Sequence, residues 1–142
     1  MRQAFGSNGG TGLPVGARLV TAGDRLFTSG LTAEAPAGVE PEGRRVFAGA
    51  VALLREAGAS PADVLRTRLF YVDADAEPVL RRIHGDVFAH PGPAFSAIRV
   101  SRLPGGAQLV LELEGVRGAG ATTTTTPRWR RCPPSSSPAR PP

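Results

Sequence analysis

The side chains able to do polar chemistry are few, and their types narrow the choice before any fold is drawn. All seventeen basic residues are arginines. Without lysine, Schiff-base catalysis and the phosphate-gripping lysine of a P-loop are excluded. His84 and His90 are the only imidazoles and Cys132 the only thiol, so no disulfide framework or cysteine-rich metal site can be assembled. A Ser-His-Asp triad is numerically possible, but no Gly-x-Ser-x-Gly turn presents a nucleophile. Carboxylates and arginines remain. Glu112 and Glu114 stand two apart in an apolar run, so on a strand they share a face and do not oppose each other as an acid–base pair. No metal or organic cofactor is implied.

The charge separates by region. The formal net charge is +5, yet residues 1–118 hold thirteen arginines against twelve acids, about +1. The other four, Arg128, Arg130, Arg131 and Arg140, lie near the C-terminus. A nucleic-acid partner calls for a basic face on the folded part, and the count supplies none. No run of 18 apolar residues exists, so no membrane partner is expected. The start, MRQAFGSNGG, is charged and glycine-rich rather than apolar, which argues against a secretory leader and for a cytoplasmic protein.

These groups need elements to hold them. A chain of 142 residues with 41% hydrophobic content allows one domain. Residues 1–12 are glycine-rich and expected to be flexible, and 118–142 are Thr, Pro, Ser and Arg in runs, a composition that cannot offset its ordering entropy. The domain then spans 13–117. Residues 18–22 and 26–30 read as a hairpin around Gly23-Asp24, and 31–40 as a loop. Pro41 opens a helix whose apolar face is Val46, Ala50 and Leu54, ended by Gly58. Ser60 to Asp63 has capping-box spacing. Val64–Val72 is β-branched and aromatic, hence a strand. Asp73 and Asp75 can cap a second helix over 77–88, lined by Val79, Ile83 and Val87. Two strands, 94–102 and 108–116, flank a turn at Pro104-Gly105-Gly106. The order ββαβαββ predicts an α+β fold, one sheet with both helices on one face. The other face still carries apolar residues, and self-association is the economical way to cover it.

Several stretches stand in register with these elements: Gly23-Asp24 to Phe27-Thr28-Ser29-Gly30, Glu56-Ala57-Gly58-Ala59-Ser60-Pro61-Ala62-Asp63-Val64, His84-Gly85-Asp86-Val87-Phe88, Pro93-Ala94, Leu103-Pro104, and Leu111-Glu112-Leu113-Glu114. Over about 13–116 they make the chain resemble the Rid (RidA, YjgF) family, small trimeric proteins of the chorismate-mutase-like fold. The resemblance implies a homotrimer, a site in a cleft between subunits, and hydrolysis of reactive enamines or imines such as 2-aminoacrylate to a 2-keto acid and ammonia. It makes Glu112 the residue that positions or activates water and places Ser29 and Gly30 at the same site.

At two positions the chain departs from that pattern. Where the family reads Pro-Ala-Arg, this chain reads Pro93-Ala94-Phe95, and Gly16 stands at the place of a site tyrosine. The family's arginine grips the substrate carboxylate through two charge-assisted hydrogen bonds, and Phe95 offers none. A desolvated carboxylate left unpaired costs roughly 2–5 kcal/mol, so 2-aminoacrylate is not carried over as substrate. Phe95, Ala97 and Arg99 share a strand face, but Arg99 lies about 13 Å further on. It suits a longer or displaced anion. Arg68 and Arg81 are further contributors whose direction the sequence leaves open, and His84 reads as a helix packing residue before it reads as a general base. Two functions stay open: an enamine or imine hydrolase with Glu112 catalytic and an apolar wall at Phe95, and a trimeric small-molecule-binding or accessory protein without catalysis.

Overall fold

The computed structural model describes residues 1–7, 17–33, 37–89 and 91–121. Eight elements make the domain: β1 (Arg2–Ser7), β2 (Ala17–Ala22), β3 (Arg25–Thr28), α1 (Val39–Glu56), β4 (Val64–Tyr71), α2 (Ala76–Val87), β5 (Ala94–Arg99) and β6 (Leu109–Val116). One mixed sheet runs β1-β2-β3-β6-β4-β5, with β4 and β5 parallel and every other neighbouring pair antiparallel. The expected α+β class, with two helices against one sheet, is what is found.

Apolar spacing explains the layering. In β6, Leu109, Leu111 and Leu113 are buried while Val110, Glu112 and Glu114 are only half-buried. The buried set packs with Leu19, Leu26 and Leu69 and with Phe47, Leu54, Leu80 and Ile83 of the two helices in one core. Both helices therefore cover the same face. None of the described elements covers the opposite face, and Phe27 and Ile98 are 37% and 41% exposed on it.

Three details correct the sequence reading. Residues 1–12 are not uniformly a flexible segment, because Arg2–Ser7 pairs with Ala17–Ala22 as an edge strand of the sheet. The composition signal failed because an edge strand is ordered by backbone hydrogen bonds, which polar and glycine-containing segments can also make. The C-terminal boundary at 118 also moves, since Ala119–Ala121 form a 3-10 turn and Gly120 N–H donates to Asp63 Oδ1 at 3.0 Å. The rest of the proposed tail, Cys132 and the four arginines included, lies outside the described residues. Asp75 occupies the N-cap of α2 without bonding through its side chain, whereas Asp73 Oδ1 accepts from Asp75 N–H at 2.9 Å. The Ser60–Asp63 box does form, with Ser60 N–H donating to Asp63 Oδ2 at 3.0 Å. Burial alone would raise the Asp63 carboxyl, but amide donors from Gly120, Ser60 and Gly118 and the Ser60 hydroxyl outweigh it and hold it below its ordinary value.

Glu42 is one of four buried polar residues among those described, with Thr21, Asp63 and Thr67. It is 1% exposed; Oε1 accepts from Gln108 N–H at 2.8 Å, and Oε2 has no partner. Glu42 thereby ties α1 to the segment entering β6. Glu42→Ala is expected to cost about 1–3 kcal/mol by stranding a buried amide. Glu42→Gln keeps the acceptor and removes the charge, so its urea midpoint is expected at or above that of the wild type. A Gln variant as unstable as the Ala variant would show that the hydrogen bond to Gln108 is not what the residue contributes.

Candidate functional site

Strand register decides which candidate residues meet. Arg68 of β4 lies directly across from Glu112 of β6, and both side chains stand on the open face. Arg68 Nη1 donates to Glu112 Oε2 at 3.3 Å, and Nη2 contacts Glu114 Oε1 at 3.0 Å. Each side chain is about a third exposed. One guanidinium thus holds two carboxylates in the middle of an uncovered sheet. Pairs this exposed contribute at most about 1 kcal/mol to stability, so orientation is their main effect. The trio sums to −1, and water reaches Glu112.

Ser29 and Gly30 leave β3 beside this group. Ser29 N–H donates to Arg18 O at 2.9 Å, and Leu31 exchanges backbone bonds with Leu111. Between them, a Cβ on Gly30 would come within 2.7 Å of Val110 Cγ1, and Val110 is two residues from Glu112 on the same face. The chain passes too close for any larger residue without displacing Val110.

Phe95, Ala97 and Arg99 lie elsewhere. In parallel register with Thr67, Leu69 and Tyr71 they face the helices, on the side of the sheet away from Glu112. A single protomer therefore divides the proposed residues into two groups, Glu112 with Ser29 and Gly30 on the open face, and Phe95, Ala97 and Arg99 at the β5 edge. Phe95 packs against α2: the His84 ring lies 4.2 Å away on centroids, and Arg81 Cζ sits 5.0 Å from the Phe95 centroid. Arg81 is itself held by Glu77 at 2.7 Å, whose other oxygen accepts from Tyr71 OH at 2.6 Å. Arg99 donates to Val72 O at 3.2 Å, at the far end of the strand.

His84 packs against Phe95 and pairs with no carboxylate among the described residues. Its Nε2 lies 2.8 Å from Thr67 Oγ1, and its ring also packs on Phe88 at 4.7 Å. Burial, and then the Arg81 charge, hold its pKa below the ordinary value. The native state thus refuses a proton that the unfolded chain accepts near pH 6.5, to order of magnitude. Stability contributed this way is full above that pH and is lost as pH falls toward the lowered native value. Asp63 and Glu77, the other groups held low, titrate in a more acidic window. The expected result is a fall in unfolding free energy between about pH 7 and 5 that flattens in His84→Phe. An unchanged slope would show that His84 is not its source.

Cavities do not mark the carboxylate. One of about 620 Å³ lies among Pro61, Leu65, Val87, Phe88 and Pro93, and one of about 280 Å³ on the open face touches Phe27, Arg66 and Glu114. Neither is lined by Glu112 or Phe95. Among the described residues no cluster of three His, Cys, Asp or Glu could hold a metal, and no helix is long and apolar enough to cross a membrane. The sequence had left the direction of Arg68 open; only its pairing opposite Glu112 identifies it as part of the group.

Comparison with known proteins agrees with this architecture. A RutC family protein of Pyrococcus abyssi is 30% identical over 78 residues, covering 55% of this chain and 60% of that protein. A member of the YjgF/YER057c/UK114 family from Mycobacterium tuberculosis superposes with a TM-score of 0.72 at 24% identity, over 82% of this chain and 99% of that one. RidA from an Antarctic Psychrobacter superposes with a TM-score of 0.69 at 24% identity, over 80% and 93%. Below 25% identity such matches speak for the fold alone. The model of the family described as Endoribonuclease L-PSP matches residues 17–116, which is nearly the whole described sheet and both helices. The chain belongs to this family, the one that also holds the YjgF and RidA proteins.

Proposed function

We propose that the protein works as a homotrimer in which the open sheet face meets a neighbouring copy, and that Glu112, held by Arg68, activates water there to hydrolyse a reactive enamine or imine. The observation that supports this most is the third-exposed Arg68–Glu112–Glu114 group on a sheet face that none of the described elements covers and that also exposes Phe27 and Ile98. A polar group of this kind inside an apolar contact is what a site shared between copies requires.

The chemistry follows from charge. Protonation of an enamine carbon gives an iminium ion, and the adjacent Glu112 carboxylate favours that cation over a neutral or anionic species. Glu112 accepts a proton from water as the oxygen bonds to the iminium carbon. Glu112 then returns that proton to the carbinolamine nitrogen, the C–N bond breaks, and a carbonyl product and ammonium leave. Both cations near Glu112 on β4 face acids in the register, Arg68 with Glu112 and Arg66 with Glu114. Of the two, only Arg68 makes ion pairs; Arg66 makes none among the described residues and lines the hollow beside Glu114, so an imino acid long enough to set its carboxylate at Arg66 suits this face better than 2-aminoacrylate.

The test generates imines with an amino-acid oxidase and traps them with semicarbazide. The protein is expected to lower semicarbazone yield for imines with apolar side chains. If no imine is spared from the trap, the hydrolase reading falls and the reading as a non-catalytic binding protein takes its place. A purified protein that sediments as a monomer would remove the shared cleft.

A further inference from the structure

The hollow of about 280 Å³ on the open face carries cations that the group around Glu112 does not use. Arg25 and Phe27 of β3, Leu65 and Arg66 of β4 and Glu114 of β6 line it. Because β6 lies between the other two strands, the two arginines stand on either side of Glu114.

The register sets Arg66 to pair with Glu114, and the side chains do otherwise. Arg66 lies directly across from Glu114, yet the Glu114 carboxylate contacts Arg68 Nη2 at 3.0 Å. Among the described residues, neither Arg66 nor Arg25 takes part in an ion pair. The one acid of the hollow is thus engaged by a cation outside it, and two cations remain without a counter-charge. Their repulsion is relieved when an anion lies between them.

Arg25 is already placed for that contact. Its Cζ lies 5.4 Å from the Phe27 centroid. The ring occupies one face of the guanidinium and leaves the in-plane N–H groups to donate elsewhere. Leu65 and Phe27 add apolar surface along which a hydrocarbon chain can lie.

Distance decides what the anion can be. Glu112 does not line the hollow; it stands two residues from Glu114, about 7 Å along β6. The α-carboxylate of an imino acid is bonded to the imine carbon itself. It cannot lie between the arginines while that carbon meets the water on Glu112. A carboxylate at the far end of the side chain, two methylenes out, spans the gap.

We propose that this hollow is the side-chain subsite of the hydrolase, and that the substrates it favours are imines of dicarboxylic amino acids, with the far carboxylate on Arg66 and Arg25. The proposal rests on the reading of Glu112 as the residue that activates water.

Titration calorimetry on the full chain compares two keto acids shaped like the products. One is 2-oxoglutarate, which carries the far carboxylate. The other is 5-methyl-2-oxohexanoate, in which an isopropyl group of similar shape replaces it. 2-Oxoglutarate is expected to bind at least about tenfold more tightly, a difference that one charge-assisted contact supplies. Arg66→Gln is expected to abolish the preference and Arg25→Gln to reduce it. Both side chains are exposed, so both variants are expected to fold. Equal affinity of the wild type for the two acids, or a preference unchanged in Arg66→Gln, would overturn the subsite. The two readings fail separately. If imines are spared from semicarbazide but neither acid is preferred, only the subsite falls. If the preference is found but no imine is spared, the hydrolase reading falls, and with it the subsite's part in hydrolysis.

Discussion

Glu112→Gln is expected to lower the protein's sparing of imines from semicarbazide by about 100- to 10,000-fold, the span of a positioned general base. The amide keeps the size of the side chain and can still contact neighbours, but it does not accept a proton from water. Folding is expected to change by less than about 1 kcal/mol, because Arg68 retains Glu114 at 3.0 Å and the pair is a third exposed. The comparison therefore separates chemistry from stability in one variant. Arg68→Met tests the orienting cation. It is expected to reduce turnover more than apparent affinity, with partial recovery in Arg68→Lys, which restores the charge without the two-armed grip. A Gln variant as active as the wild type would remove Glu112 from the mechanism whatever the oligomeric state.

The largest stability effect is expected at a residue with no chemistry at all. Gly115 of β6 lies against the start of β4, where the register shifts between Val64 and Arg66. A Cβ on Gly115 would fall 2.5 Å from Asp63 O and 3.2 Å from Val64 Cα. Those are backbone atoms, and Asp63 is pinned by its capping box and by Gly120, so the neighbour cannot give way cheaply. Gly115→Ala is expected to cost about 3 kcal/mol, the upper end of what overpacking inflicts. Gly49→Ala should do the reverse. It sits inside α1 with nothing within 4 Å of its Cβ position, and alanine there gains about 0.5–1 kcal/mol of helix propensity. Denaturant midpoints that move in opposite directions confirm the packing argument. A tolerated Gly115→Ala would show that the β4 entry moves freely.

Much of the fold was legible because period and punctuation are local. The spacing of Val46, Ala50 and Leu54, the alternation through Leu109–Val116, and Gly23, Pro41 and Gly58 each mark an element within a few residues of its observed ends. The family resemblance rested on such local stretches and led to the same architecture. The N-terminal strand was missed because nothing in RQAFGS announces a partner; the partner is Ala17–Ala22, across a segment of other composition.

The candidate site was less legible. Period two placed Phe95 with Ala97 and Arg99, and Glu112 with Glu114, and both groupings are found. It could not say that the two groups face opposite sides of the sheet. That follows from which residue of β4 lies beside each: Thr67 for Phe95, and Arg68 for Glu112. A shift of one residue in either ladder would have reversed the answer, and register is set by burial across the whole sheet.

The types and order of seven of the eight elements, and the exclusion of lysine-based chemistry and of a disulfide framework, were thus determined by the amino-acid sequence alone, since each depends on residue identity or on neighbours a few positions away. The pairing of Arg68 with two carboxylates and the packing of Phe95 against His84 and Arg81 were decided only by the tertiary structure. Those contacts join residues 11 to 46 positions apart, and they exist because the core closes around Leu69, Leu111 and Leu54 and carries the polar side chains to wherever the backbone then points.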